Sequence, residues 1–101
     1  MSIVMILRLP GNPADLEKYA AGDGGDVMVR IAEAGRAAGA TRHVFAGGDD
    51  EVVVIDEWPD EKSFQSFFSS QAEIPDVMRA AGAKGEPQIS FYRKLDTPAQ
   101  F

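Results

Sequence analysis

Few side chains in this sequence are suited to proton chemistry near neutral pH. His43 is the single histidine, and histidine is the side chain that ordinarily titrates close to neutrality. It suits a proton acceptor or donor lining a cleft; the alternative is a histidine satisfied within a hairpin. Asp56 and Glu57 are neighbours, so in a strand they face opposite ways and cannot act as a carboxylate pair on one bond. Asp56 shares a face with His43, which makes it the expected partner of a catalytic pair. Arg8 ends an otherwise apolar pattern, where it either holds a ligand anion through a charge-assisted bond or extends to water. Tyr92 is similar: its hydroxyl orients a ligand or caps the sheet edge. Phe45 and Trp58 are read as ligand-binding walls. The alternative for Trp58 is a core or interface anchor, a role in which tryptophan is enriched.

Other chemistries are excluded by what is missing. There are no cysteines, which removes disulfides, thiolate nucleophiles, iron–sulfur clusters and cysteine zinc sites. The same absence fits a reducing cytoplasm. One histidine and scattered carboxylates do not meet ordinary metal-ligand spacing, so no metal is expected. Gly22-Asp23-Gly24-Gly25-Asp26 invites a phosphate-loop reading, but it lacks GxGxxG and GK[ST], and its aspartates repel phosphate. It reads as a helix kink or a flexible lid. Ten basic against sixteen acidic side chains give a formal charge of −6, which disfavours nucleic acid. The N-terminal apolar run is too short to span a membrane, and no basic amphipathic stripe suggests a membrane surface.

The elements that must position these residues follow from the patterning. The 101 residues, 45% hydrophobic and 26% charged, describe one globular domain with no internal repeat. Ile3 to Leu9 is apolar on both parities, as in a central strand covered on both faces. Asn12-Pro13 starts a helix that Gly22 to Asp26 interrupts. It resumes from Val27, with Val27, Ile31, Ala34 and Ala38 on one face, and Gly39 is the expected left-handed stop. Thr41 to Ala46 and Glu51 to Trp58 form a hairpin. A four-residue loop, Gly47 to Asp50, would pair Phe45 with Val52, His43 with Val54 and Thr41 with Asp56. Pro59-Asp60 opens a helix with Phe64, Phe67 and Phe68 as its core stripe. A short helical piece with Pro75 near its start follows, and Gln88 to Leu95 is the last strand. The tail, residues 96 to 101, is expected to be loose or draped over a partner.

This order predicts an α+β, ferredoxin-like βαββαβ fold with a four-stranded antiparallel sheet, the first and third strands central and the helices on one face. The face bearing Phe45, Val52, Val54 and Trp58 is expected to be the uncovered one. So apolar a patch marks a binding surface. A homodimer through the sheet would hide it, gaining several kcal/mol at ~25 cal/mol per Å² and leaving a cleft alongside.

The hairpin ending Val53-Val54-Ile55-Asp56-Glu57-Trp58, followed at once by Pro59, Asp60, Glu61, Lys62, Ser63 and Phe64, resembles the dimeric α+β barrel superfamily. It is most similar to the antibiotic biosynthesis monooxygenase group. The resemblance implies a cofactor-independent monooxygenase of a phenolic or polyketide-like aromatic, in which the substrate anion itself reacts with oxygen. His43 would be the base, Trp58 and Phe45 the walls, and Arg8 or Tyr92 the group holding the anion. Haem-degrading relatives use a histidine on the second helix, and residues 61 to 79 contain none, which argues against that branch. The alternatives are a small-molecule binding dimer without catalysis and a structural or interaction module.

Overall fold

The computed structural model describes residues 2 to 101. Strand β1 (Ile3–Pro10) leads into helix α1 (Pro13–Ala21) and helix α2 (Gly25–Ala37). Strands β2 (Arg42–Gly47) and β3 (Glu51–Trp58) follow, then α3 (Glu61–Ser70), α4 (Ile74–Ala80) and β4 (Gln88–Arg93). The four strands form one antiparallel sheet in the order β2-β3-β1-β4, with β1 and β3 in the centre as the crossover argument requires.

Local chemistry sets the boundaries. Asn12 Oδ1 accepts from the backbone N–H groups of Ala14 and Asp15 at 2.9 and 3.2 Å, and Pro13 occupies the first turn, where its missing donor costs nothing. The interruption is shorter than expected: only Gly22 to Gly24 separate the helices, and α2 starts at Gly25. Gly39 follows the end of α2 with φ +120°, and a Cβ there would come within 2.9 Å of the Pro59 ring. Glycine is therefore required on both counts. Asp60 caps α3 by accepting from Ser63 N–H at 2.7 Å, and that bond holds its carboxyl below the usual aspartate range. Strand β4 ends at Arg93, two residues early, and one further bond runs from Lys94 N–H to Ser2 O at 3.1 Å. The tail beyond it is exposed.

Two expectations need correcting. The hairpin register is displaced by two: His43 faces Asp56, Phe45 faces Val54, and Gly47, expected in the loop, faces Val52. The ladder runs on into the glycines, with Gly48 N–H donating to Glu51 O at 2.8 Å, so the turn is Asp49-Asp50 rather than a four-residue loop. An even displacement leaves every side chain on its expected face.

The second correction concerns which face is covered. Val52, Val54, Asp56 and Trp58 lie with Met5, Leu7 and Leu9 on the side under the helices, where they meet Leu16, Phe64 and Ala81 to form the core. The uncovered face carries the opposite parity, with Val4, Ile6, Val44, Ala46, Val53 and Ile55 at its centre. Both parities of β1 and β3 are apolar, so hydrophobic alternation could not choose between them.

Candidate active site

The register places the reactive side chains in a row. His43 lies opposite Asp56 on the inner face, and Trp58 is two residues along the same strand, so it shares that face. His43 Nδ1 and Asp56 Oδ1 are 2.7 Å apart, and Trp58 Nε1–H donates to Asp56 Oδ2 at 3.0 Å. A carboxylate only accepts, so the proton between His43 and Asp56 belongs to Nδ1, and the imidazole donates. Its Nε2 lone pair is then left open. Asp56 is 4% exposed and is the buried charged residue of the core. Its two oxygens are both bonded, as a carboxylate in such a place requires. Trp58, 1% exposed, is fixed in turn by Phe64 and Phe67, whose ring centroids lie 5.6 and 5.3 Å away. A rigid aromatic core thus orients the acid, and the acid orients the imidazole.

Beside this row, between the sheet and the helices, is a cavity of about 100 Å³. Met5, Leu7 and Leu9 of β1 and Val52 and Val54 of β3 line its sheet side. Leu16, Met28 and Ile31 close it from α1 and α2, and Phe64, Phe68, Val77 and Met78 from α3 and α4. His43 and Asp56 are the polar side chains that line it. Phe45 lies at its edge on β2, 42% exposed, with its ring edge-on to His43 at a centroid distance of 4.8 Å.

Of the six residues singled out from sequence, the fold gathers His43, Asp56 and Phe45 around this cavity. Trp58 stands behind Asp56 as a buried anchor and does not line the space. Arg8 and Tyr92 are on the other side of the sheet, where Arg8 Nε pairs with Glu51 Oε1 at 2.6 Å and Tyr92 is 56% exposed. Neither reaches the cavity, because each has the parity opposite to the inward residues Leu7 and Phe91. The two methionines that line the cavity from the helices, Met28 and Met78, carry no site signal in the sequence. Their spacing marks them only as apolar helix positions, although flexible thioethers suit an adaptable wall.

The outer face is charged around its rim. Glu57 receives Lys94 Nζ at 2.8 Å and Arg42 Nε at 3.2 Å. The Lys94 hydrogen bond, assisted by the charge of Arg42, holds the Glu57 carboxyl below the usual glutamate range against a smaller opposing effect of burial. Among the described residues, no three His, Cys, Asp or Glu side chains gather as a metal site would require, and no helix is long and apolar enough to cross a membrane.

No protein-family model matches the chain, and no curated protein matches it. Solved structures do. The chain is similar to SnoaB, a cofactor-independent oxygenase from Streptomyces nogalater, at 20% identity and TM-score 0.61, covering 98% of both chains. It is similar to the ActVA-Orf6 monooxygenase of Streptomyces coelicolor, solved with nanaomycin D, at 20% identity and TM-score 0.68, covering 97% of this chain and 93% of that one. Rv0793 from Mycobacterium tuberculosis matches at 12% identity and TM-score 0.63, over 98% of this chain and all of its own. The chain therefore shares the α+β, ferredoxin-like fold of these solved structures.

Proposed function

We propose that the chain is a cofactor-independent monooxygenase of a phenolic or polyketide-like aromatic compound, acting as a homodimer joined through the outer face of its sheet. The observation that carries this reading is a His43–Asp56 pair set into the wall of an otherwise apolar cavity. Similarity in fold to a cofactor-independent oxygenase supports it.

The chemistry asks little of the protein beyond proton transfer and dryness. Nε2 of His43 takes a proton from an acidic O–H or an activated C–H of the substrate, and Asp56 faces the imidazolium that results. The substrate anion passes an electron to dioxygen, and the two radicals combine to form a C–O bond. The peroxide takes the proton back from His43 and loses water to leave a carbonyl. In sum, a CH₂ group and O₂ become C=O and H₂O, with no outside reductant. The apolar walls keep water from the anion.

The dimer rests on the outer face, where Val44 is 40% exposed beside Val53 and Ile55. An apolar centre ringed by ion pairs suits burial against a second copy better than contact with water.

A second reading, a binding dimer without turnover, is favoured by one fact. Only a single imidazole nitrogen is free to act on a ligand. Oxygen uptake separates the two readings. With anthrone- and naphthol-type phenols, the wild-type protein is expected to consume oxygen, and His43→Ala to lose the activity by about 10²–10⁴-fold. Uptake unchanged by His43→Ala would remove the base from the mechanism. Ligand-induced thermal stabilisation without any uptake would favour the binder.

A further inference from the structure

The cavity is polar at one point only, and that limits what fits inside. The backbone groups of its sheet side are committed to the ladders, since β1 and β3 are both paired on two sides. Asp56 spends one oxygen on His43 and the other on Trp58. The remaining lining is hydrocarbon, thioether or phenyl, with no lysine or arginine. A ligand therefore meets one side-chain nitrogen without a partner, His43 Nε2, and no cation. The nearest fixed charge is negative.

Taking the cavity as the ligand site of the function proposed above, we infer that it selects electrically neutral, compact aromatic alcohols whose hydroxyl groups lie on one edge. It rejects otherwise similar molecules that carry a carboxylate. Size points the same way. At about 100 Å³ the space is of the order of the ~150 Å³ cavity that takes up benzene, so roughly one ring is enclosed. Any further ring must lie toward the mouth beside Phe45. A carboxylate entering the enclosed part would leave water for a site whose one imidazole N–H is already given to Asp56, and with the Asp56 carboxylate beside it. An unpaired buried charge is among the least tolerated of ligand features. The arginine that sequence suggested as an anion holder is on the wrong side of the sheet to relieve it.

Paired probes test this. Binding of 2-naphthol and of 6-hydroxy-2-naphthoic acid is measured by calorimetry near neutral pH, where the first is uncharged and the second ionised. The naphthol is expected to bind at least ~100-fold more tightly, on the scale of one stranded charge. Phe45→Arg, on an exposed edge-strand position at the mouth, is expected to narrow that ratio about tenfold by supplying the missing cation. Equal affinity for the two probes in the wild-type protein overturns the inference, as does failure to bind the naphthol. Oxygen uptake is scored separately on the same samples. Discrimination without uptake supports the inference and sinks the oxygenase reading, whereas uptake with equal affinity does the reverse.

Discussion

The two faces of this sheet are made by the same strands and do different work. On the inner face β1 and β3 present Met5, Leu7, Leu9, Val52 and Trp58, all buried by helices of the same chain. One carboxylate lies among them with both oxygens bonded. On the outer face the same strands present Val4, Ile6, Val53 and Ile55, which no helix covers, and their charges stand in pairs around the rim. Charge is thus isolated, enclosed and aimed on one side, and distributed, exposed and paired on the other. An isolated buried carboxylate can hold a catalytic base in one tautomer. Rim ion pairs contribute little to stability but can fix how two copies meet.

Substitutions that touch one face and spare the other would break or sharpen this contrast. The largest effect on stability is expected at Trp58. Trp58→Ala removes an aromatic packed against Phe64 and Phe67 and strands an oxygen of Asp56. It should cost about 3–5 kcal/mol in denaturant unfolding. Trp58→Phe keeps most of the packing and loses the donor, so a loss of about 1–3 kcal/mol is expected. No loss in Trp58→Phe would mean that the hydrogen bond carries nothing, and equal losses for the two would mean that the ring packing carries nothing.

Ile55→Lys on the outer face should leave the fold of one copy nearly untouched while weakening self-association at least ~100-fold by sedimentation equilibrium, because a charge is buried without a partner. A wild-type protein that sediments as a monomer at all working concentrations would remove the dimer from the account.

Asn12→Ala should cost about 1 kcal/mol through the lost cap of α1.

The smallest effect is in acid. The carboxyls of Glu57 and Asp60 are held below their ordinary ranges in the folded chain. Their contribution is complete above the unfolded-state values and is lost as pH falls through the depressed folded ones. Stability should therefore decline on acidification below the ordinary carboxylate range, and Glu57→Gln should flatten that decline slightly. A steeper decline in the variant would contradict the assignment.

Much of the fold could be read from the residues, for reasons the structure makes clear. Caps at Asn12 and Asp60, the positive-φ stop at Gly39 and the doubly apolar β1 are local signals, and each was decisive. The hairpin register was harder, because Gly47-Gly48-Asp49-Asp50 accommodates either a four-residue or a two-residue turn. Side-chain period is blind to a displacement of two. The choice of covered face was harder still: hydrophobicity is present on both parities. Charge was the better guide. Arg8, Arg42, Glu51, Glu57 and Lys94 all share the outer parity, and only Asp56, His43 and Arg93 stand on the inner one. Weighing that asymmetry would have placed His43 and Asp56 under the helices and moved Arg8 and Tyr92 away from the cavity. The Trp58–Asp56 bond had a legible basis in the two-residue spacing, but its direction depends on rotamers that spacing does not specify.

Asp56 governing the His43 imidazole can be observed without any substrate, because the chain has a single histidine and its nitrogen resonances are unambiguous. Nitrogen-15 NMR at about pH 8, where an ordinary imidazole is neutral, reads the tautomer directly. The expected spectrum shows Nδ1 protonated and Nε2 bare, with the Nε2 signal moving when 2-naphthol is added. A proton found on Nε2, with Nδ1 bare, would leave no base facing the cavity and would contradict the account.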